Sequence, residues 1–265
     1  FLDVRTMVLI YVGIRIGQSA MLVYLWRVQR NYPPAKDWAV GALMSAAGLL
    51  CLALRDLAPV WVTELLANTL LLPGWMIFDY GIARAAGKNP SVKLGLLLCA
   101  LAVGVLAWHS FVEPDRAARI LVHHMVLLAF DMYAAYACLS CAKSRRRLTF
   151  RLLAALLFLL VLSYLWRIAD DVFAIAALPQ AMPSRIFLVA VSTVIFPMIT
   201  MLLALQTSQR LQEEINAQAR LDMLTGAFNR RAFDEFVNRE WSRAVRYGDP
   251  FSVLMVDIDH FKKFN

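Results

Sequence analysis

The chain closes on a run of side chains suited to phosphate and metal chemistry, Asp257-Ile258-Asp259-His260-Phe261-Lys262-Lys263-Phe264-Asn265. Ahead of it, Gly248-Asp249-Pro250 is a turn signal and Phe251-Ser252-Val253-Leu254-Met255-Val256 a short apolar run, a pattern that predicts a buried strand ending at Asp257. A hard cation such as Mg²⁺ takes oxygen ligands and keeps several waters, so a carboxylate at a strand end together with nucleotide phosphates can complete its shell. Lys262 is then placed to meet phosphate charge. Strand-end Asp residues also commonly cap turns or the following helix, so the spacing alone does not decide the chemistry.

A second motif decides more. Asp222-Met223-Leu224-Thr225-Gly226-Ala227-Phe228-Asn229-Arg230-Arg231, followed later by VDIDHFKKFN, closely resembles the start of a GGDEF domain, the catalytic domain of diguanylate cyclases. The resemblance covers residues 222–265. It implies that Asp257 binds Mg²⁺ (or Mn²⁺), assisted by the carbonyl of Ile258. It further implies that the amides of His260 and Phe261 cradle phosphates, that Lys262 contacts phosphate, and that Asn265 reads the guanine edge of GTP. The glycine-rich hairpin that names the family lies beyond these residues, so the chain as given is expected not to be a working cyclase by itself.

These groups have to be positioned by elements of a different character. Of the residues, 60% are hydrophobic and only 17% charged, and the mean hydropathy is +0.60, outside the range of an ordinary soluble domain. Apolar stretches long enough to cross a bilayer occur near 7–26, 38–54, 60–83, 92–112, 118–142, 149–168 and 186–206, which predicts a seven-span module over residues 1–206. The net charge of +8 does not call for nucleic acid, because many of the basic residues fall in short loops where topology explains them. Arg27, Arg30 and Lys36, then Arg84, Lys88 and Lys93, then Lys143, Arg145, Arg146, Arg147 and Arg151 mark the inside loops. The amino end is then outside, and residues from 207 on lie in the cytoplasm of a bacterium whose inner membrane holds the chain.

Ionisable groups within spans are costly and mark candidate functional sites. His123, His124 and Asp131 in the fifth span suit a metal, haem or proton-sensing role, or simple local hydrogen bonding with Asp131 paired to a neighbouring helix. Arg15, Glu64, Asn68, Arg167, Asp170 and Asp171 are expected either to line one external cavity for an unknown sensory ligand or to tie the bundle together as an ion-pair network. Asp79 is expected to pair with Arg84. Cys138 and Cys141 form a CxxC on a helix, read as small residues between helices, and Trp26, Trp38, Trp61 and Trp108 as interfacial anchors.

Residues 207–221 turn polar without Gly or Pro, so the last span should continue as a signalling helix. Leu211, Ile215 and Ala219 give it a narrow apolar stripe, read as the contact of a parallel homodimer. Asn229 should cap a further helix whose Phe233, Phe236, Val237, Trp241, Ala244 and Val245 are core. The expected fold is mainly α: a seven-helix transmembrane bundle, a signalling helix, then over 222–265 the start of the α+β ferredoxin-like fold that the resemblance implies. The expected function is synthesis of cyclic di-GMP from two GTP under control of the membrane module. The alternatives are a receptor whose GGDEF-like part is degenerate and non-catalytic, or a transporter or channel.

Overall fold

The computed structural model describes residues 4–141, 147–173, 184–218, 222, 225–257 and 259. Among these residues eight α-helices follow in order: α1 Val4–Val28, α2 Pro33–Ala53, α3 Ala67–Ala85, α4 Val92–Phe111, α5 Arg116–Leu139, α6 Arg147–Phe173, α7 Ser184–Gln218 and α8 Arg230–Tyr247. A π-helical turn, Trp61–Leu66, leads directly into α3. Among the described residues seven helices are long and apolar enough to cross a membrane, and each corresponds to one of the stretches read from hydropathy. The chain divides into two compact units, Phe1–Thr207 and Ser208–Asn265.

Local chemistry sets the helix ends. Pro33 and Pro34 open α2, where a missing N–H costs nothing. The Ser91 hydroxyl accepts from Leu94 N at the start of α4, and the Asp115 carboxylate accepts from Ala118 N at the start of α5. Gly87, at φ +90°, closes α3, with its own N–H donating to Arg84 O and that of Lys88 to Ala83 O. Within α7, Pro197 has no N–H to give to the carbonyl one turn earlier, which interrupts the ladder beside Phe196.

The second span, short and rich in Gly and Ala, makes the tightest seam of the bundle. A Cβ on Gly41 would lie 2.6 Å from both Gly74 O and Phe78 N, and one on Gly48 would lie 2.8 Å from Ala67 O. Small residues at these positions let the α2 and α3 backbones touch, the device that holds helices together where lipid removes the hydrophobic drive. Trp38 is not an interfacial anchor. It is fully buried, with Gly81 of α3 leaving room for its indole and Tyr32 meeting it edge-on at 5.8 Å. Trp61 and Trp108 are exposed. By contrast α4 turns Leu94, Leu97, Leu101, Val105 and Trp108 outward, as a helix facing lipid would.

In the second unit α8 forms as expected, capped by Asn229, whose side chain accepts from Ala232 N at 3.0 Å, and closed by Gly248 at φ +74°. The reading of its apolar residues as core is corrected: Phe233, Phe236, Trp241 and Val245 are all exposed. The strand read over 251–256 does not form among the described residues. Phe251 to Asp257 has no regular secondary structure, and Val253 to Val256 are exposed, because a strand exists only as part of a ladder and no partner strand stands beside it among the described residues. Replacing Asn229 by Ala should destabilise α8 by about 1 kcal/mol, measurable as a lower unfolding midpoint of the second unit.

Candidate functional site

The groups that could do chemistry fall into two sets. The first is in the second unit. The Asp222 carboxylate accepts from Thr225 N at 3.0 Å and from the Thr225 hydroxyl at 2.9 Å, while Asp222 N donates to Ala227 O at 2.8 Å. This side-chain turn needs Gly226 at φ +66° and brings the chain to the Asn229 cap. After α8 the chain reaches Asp257, whose side chain is exposed, as is that of Asp259 two residues on. Ile258, His260, Phe261, Lys262 and Asn265 lie outside the described residues.

The donor chemistry fits the expected ion. Carboxylate oxygens are hard ligands, and an exposed position suits Mg²⁺ or Mn²⁺, which keep water in the shell. Among the described residues no three His, Cys, Asp or Glu side chains gather as a metal cluster.

The second set is in the membrane unit, where the polar residues separate into three groups. At one end, Glu64 pairs with Arg55 and also lies 3.4 Å from Arg119 of α5. Asn68, one turn further, meets His123 Nδ1 at 2.9 Å, and with Glu64 it borders a narrow cleft against Leu106 and Ser110 of α4. The His123 and His124 rings lie 5.2 Å apart, and His124 Nδ1 donates to Ile120 O at 2.8 Å. Arg167 and Asp170 form a second group, 3.9 Å apart on α6; the Asp171 side chain lies outside the described ones.

Arg15 belongs with neither. It donates to Ser45 Oγ at 2.6 Å and to Gln18 Oε1 at 3.4 Å, and its guanidinium sits 4.2 Å from the centroid of the Phe196 ring and 5.6 Å from that of Trp75. Asp131 lies nearby, completely buried against Asp79, Tyr164 and Trp75. The expected pairing of Asp79 with Arg84 is therefore corrected. Arg84 reaches Asp37 at the start of α2, 2.5 Å away, and Asp79 turns inward to Asp131. The sequence analysis missed Tyr164 as a polar neighbour of this centre, although a Tyr in mid-span, seven residues after Leu157 on the buried stripe of α6, was the available signal.

Residues 219–265 match the family described as diguanylate cyclase, GGDEF domain. That segment is similar to the GGDEF family, and it follows seven helices, among the described residues, that are long and apolar enough to cross a membrane. Among curated proteins, the probable diguanylate cyclase DgcC of Escherichia coli K12 is 31% identical over 75 residues, 27% of this chain and 20% of that protein. The diguanylate cyclase DosC of Escherichia coli K12 is 35% identical over 80 residues, 30% of this chain and 16% of that protein. DosC of Shigella flexneri serotype 5b is likewise 35% identical over 80 residues, 30% of this chain and 19% of that protein. The chain thus spans a fifth or less of these relatives' length. No solved structure matches it.

Proposed function

We propose that the parent protein is a membrane-anchored diguanylate cyclase, in which residues 1–206 are the input module, 207–221 the signalling helix and 222–265 the first part of the catalytic domain. The family match over 219–265, with Asp257 and Lys262 at its motif positions, carries this reading. Curated relatives named as diguanylate cyclases support it. The segment after α8 would then become the first strand of the ferredoxin-like sheet once partner strands are present, which would also cover the exposed apolar face of α8.

The product joins two GTP-derived nucleotides through two equivalent linkages. In each, a ribose 3′-oxygen bonds to the α-phosphorus of the other nucleotide, the bond to the β-phosphate oxygen breaks, and pyrophosphate leaves. Asp257 and the Ile258 carbonyl would hold Mg²⁺ (or Mn²⁺). That ion, when bound, makes the attacking hydroxyl more acidic and neutralises charge on the leaving group. The His260 and Phe261 amides hold the phosphates in place, Lys262 adds a positive charge to them, and Asn265 fixes the guanine so that the nucleotide enters in one orientation.

Each domain holds one GTP, so two copies must meet. The exposed Leu211 and Ile215 on α7 support a homodimer through the signalling helix. The loops rich in Lys and Arg support an orientation with the amino end outside and the catalytic part in the cytoplasm, the bundle lying in the bacterial inner membrane. Membranes bearing the complete protein should convert GTP to cyclic di-GMP with release of pyrophosphate when Mg²⁺ is added. GTP binding with no product under those conditions would replace this reading with that of a non-catalytic receptor.

A further inference from the structure

The centre of the membrane unit holds a second candidate site, distinct from the nucleotide motif. Asp79 on α3 and Asp131 on α5 face each other, exposed by only 1% and 0%. Oδ2 of Asp79, both carboxyl oxygens of Asp131 and the Tyr164 hydroxyl are buried and make no hydrogen bond among the described residues. These four oxygens converge from three helices, with Asp79, Asp131 and Tyr164 within reach of one another, so that one small cation or a shared proton could satisfy them together.

The charge of that occupant follows from the neighbours. Among the described residues Arg15 is the guanidinium that acts on Asp79, and it donates hydrogen bonds to Ser45 and Gln18. Two ionised carboxylates beside one guanidinium leave a net negative charge out of water, which membrane interiors do not tolerate. One further positive charge restores neutrality. A divalent ion would overshoot, and no His or Cys completes a transition-metal set here among the described residues.

We propose that Asp79 and Asp131 form an exchangeable site for a single monovalent cation, H⁺ or Na⁺, completed by the Tyr164 hydroxyl and balanced by Arg15. The site rests on reading residues 1–206 as a membrane module and is independent of whether the nucleotide motif is catalytic. Emptying it leaves two like charges in contact across the α3–α5 interface, so occupancy biases the spacing of those helices. Arg15 links the centre to α7 through its stack on Phe196.

Other described groups also face the pair. Tyr11 of α1, Tyr80 of α3, Cys138 of α5 and Tyr164 of α6 all act on one carboxyl or the other. His124 meets Tyr164 ring to ring at 5.7 Å, Ser45 of α2 meets Arg15, and Ser192 of α7 faces Tyr11.

The test uses the full chain in lipid nanodiscs. In a proton arm, thermal stability and the infrared band of protonated aspartic acid, assigned with isotope-labelled aspartate, are followed against pH in buffer free of sodium. In a sodium arm, Na⁺ is titrated at alkaline pH against choline as control. A protonated band present in wild type and lost in Asp131→Asn identifies H⁺. A stability gain specific to Na⁺ and lost in Asp79→Asn and in Asp131→Asn identifies Na⁺. If wild type keeps its aspartates ionised across the pH range and responds to neither ion, the proposal fails, even where the variants do not fold. Because no readout uses cyclase activity, failure here and failure of the cyclase reading are separate results.

Discussion

Asp257→Asn in the complete protein is expected to abolish cyclic di-GMP synthesis while leaving membrane insertion and folding intact. The substitution keeps the shape of the side chain and removes its charge. Asp257 is exposed, so the change empties no cavity and is expected to leave the fold in place. The loss falls on ion binding, for which a neutral amide oxygen is a poor substitute. Electrostatic help from a divalent ion is worth several kcal/mol in such a transfer, and each 1.4 kcal/mol is tenfold, so a drop of about a thousandfold or more is expected. The measurement is product formation from GTP in membranes normalised to the protein present. Excess Mn²⁺ or Mg²⁺ should recover little, and full activity in the variant removes Asp257 from the metal site.

Gly41→Leu should be the most damaging single change in the bundle that touches no polar group. Even the first carbon of a side chain at this position falls 2.6 Å from a carbonyl oxygen and an amide nitrogen of α3. Neither can rotate away, because both are main chain. The helices must separate, and every contact along the seam loosens with them. Overpacking of a tight core typically costs about 1–3 kcal/mol; with a backbone clash in place of a side-chain one, the upper end or beyond is expected for Leu, and somewhat less for Gly41→Ala. Gly13→Ala is the control, since a Cβ there has nothing within 4 Å and gains up to about 1 kcal/mol of helix propensity. Unfolding midpoints in one detergent should order Gly13→Ala at or above wild type and Gly41→Leu well below. Equal midpoints for wild type and Gly41→Leu would mean that the seam is not as close as described.

Hydropathy made all seven membrane helices legible, because the length of an apolar run is a one-dimensional property. It also marked Arg15 and Asp131, since any charge inside such a run stands out. Which charge meets which is a different kind of information. Asp79 and Arg84 are five apart on one helix and looked like partners, yet Asp37 at the start of α2 takes Arg84 and the seam turns Asp79 toward α5. Trp38 looked like an anchor for the same reason: only Gly81, on another helix, shows that a pocket awaits it. Arg15 was grouped with Glu64 by sidedness, but Ser45 and Phe196 claim it. At the other end of the chain the motif identified the chemistry from residue types, whereas the strand it sits on needs hydrogen-bonding neighbours that local sequence does not supply.

The backbone contact between α2 and α3 leaves no slack. With carbonyl and amide of one helix against the α-carbon of the other, the two cannot slide or roll past each other without first coming apart, so they travel as one stiff hairpin. Asp79 rides on that hairpin; Asp131, Tyr164 and Arg15 do not. Whatever motion the bundle makes is therefore relative to this fixed strut, and the carboxyl at position 79 is the natural reference mark against which to measure it.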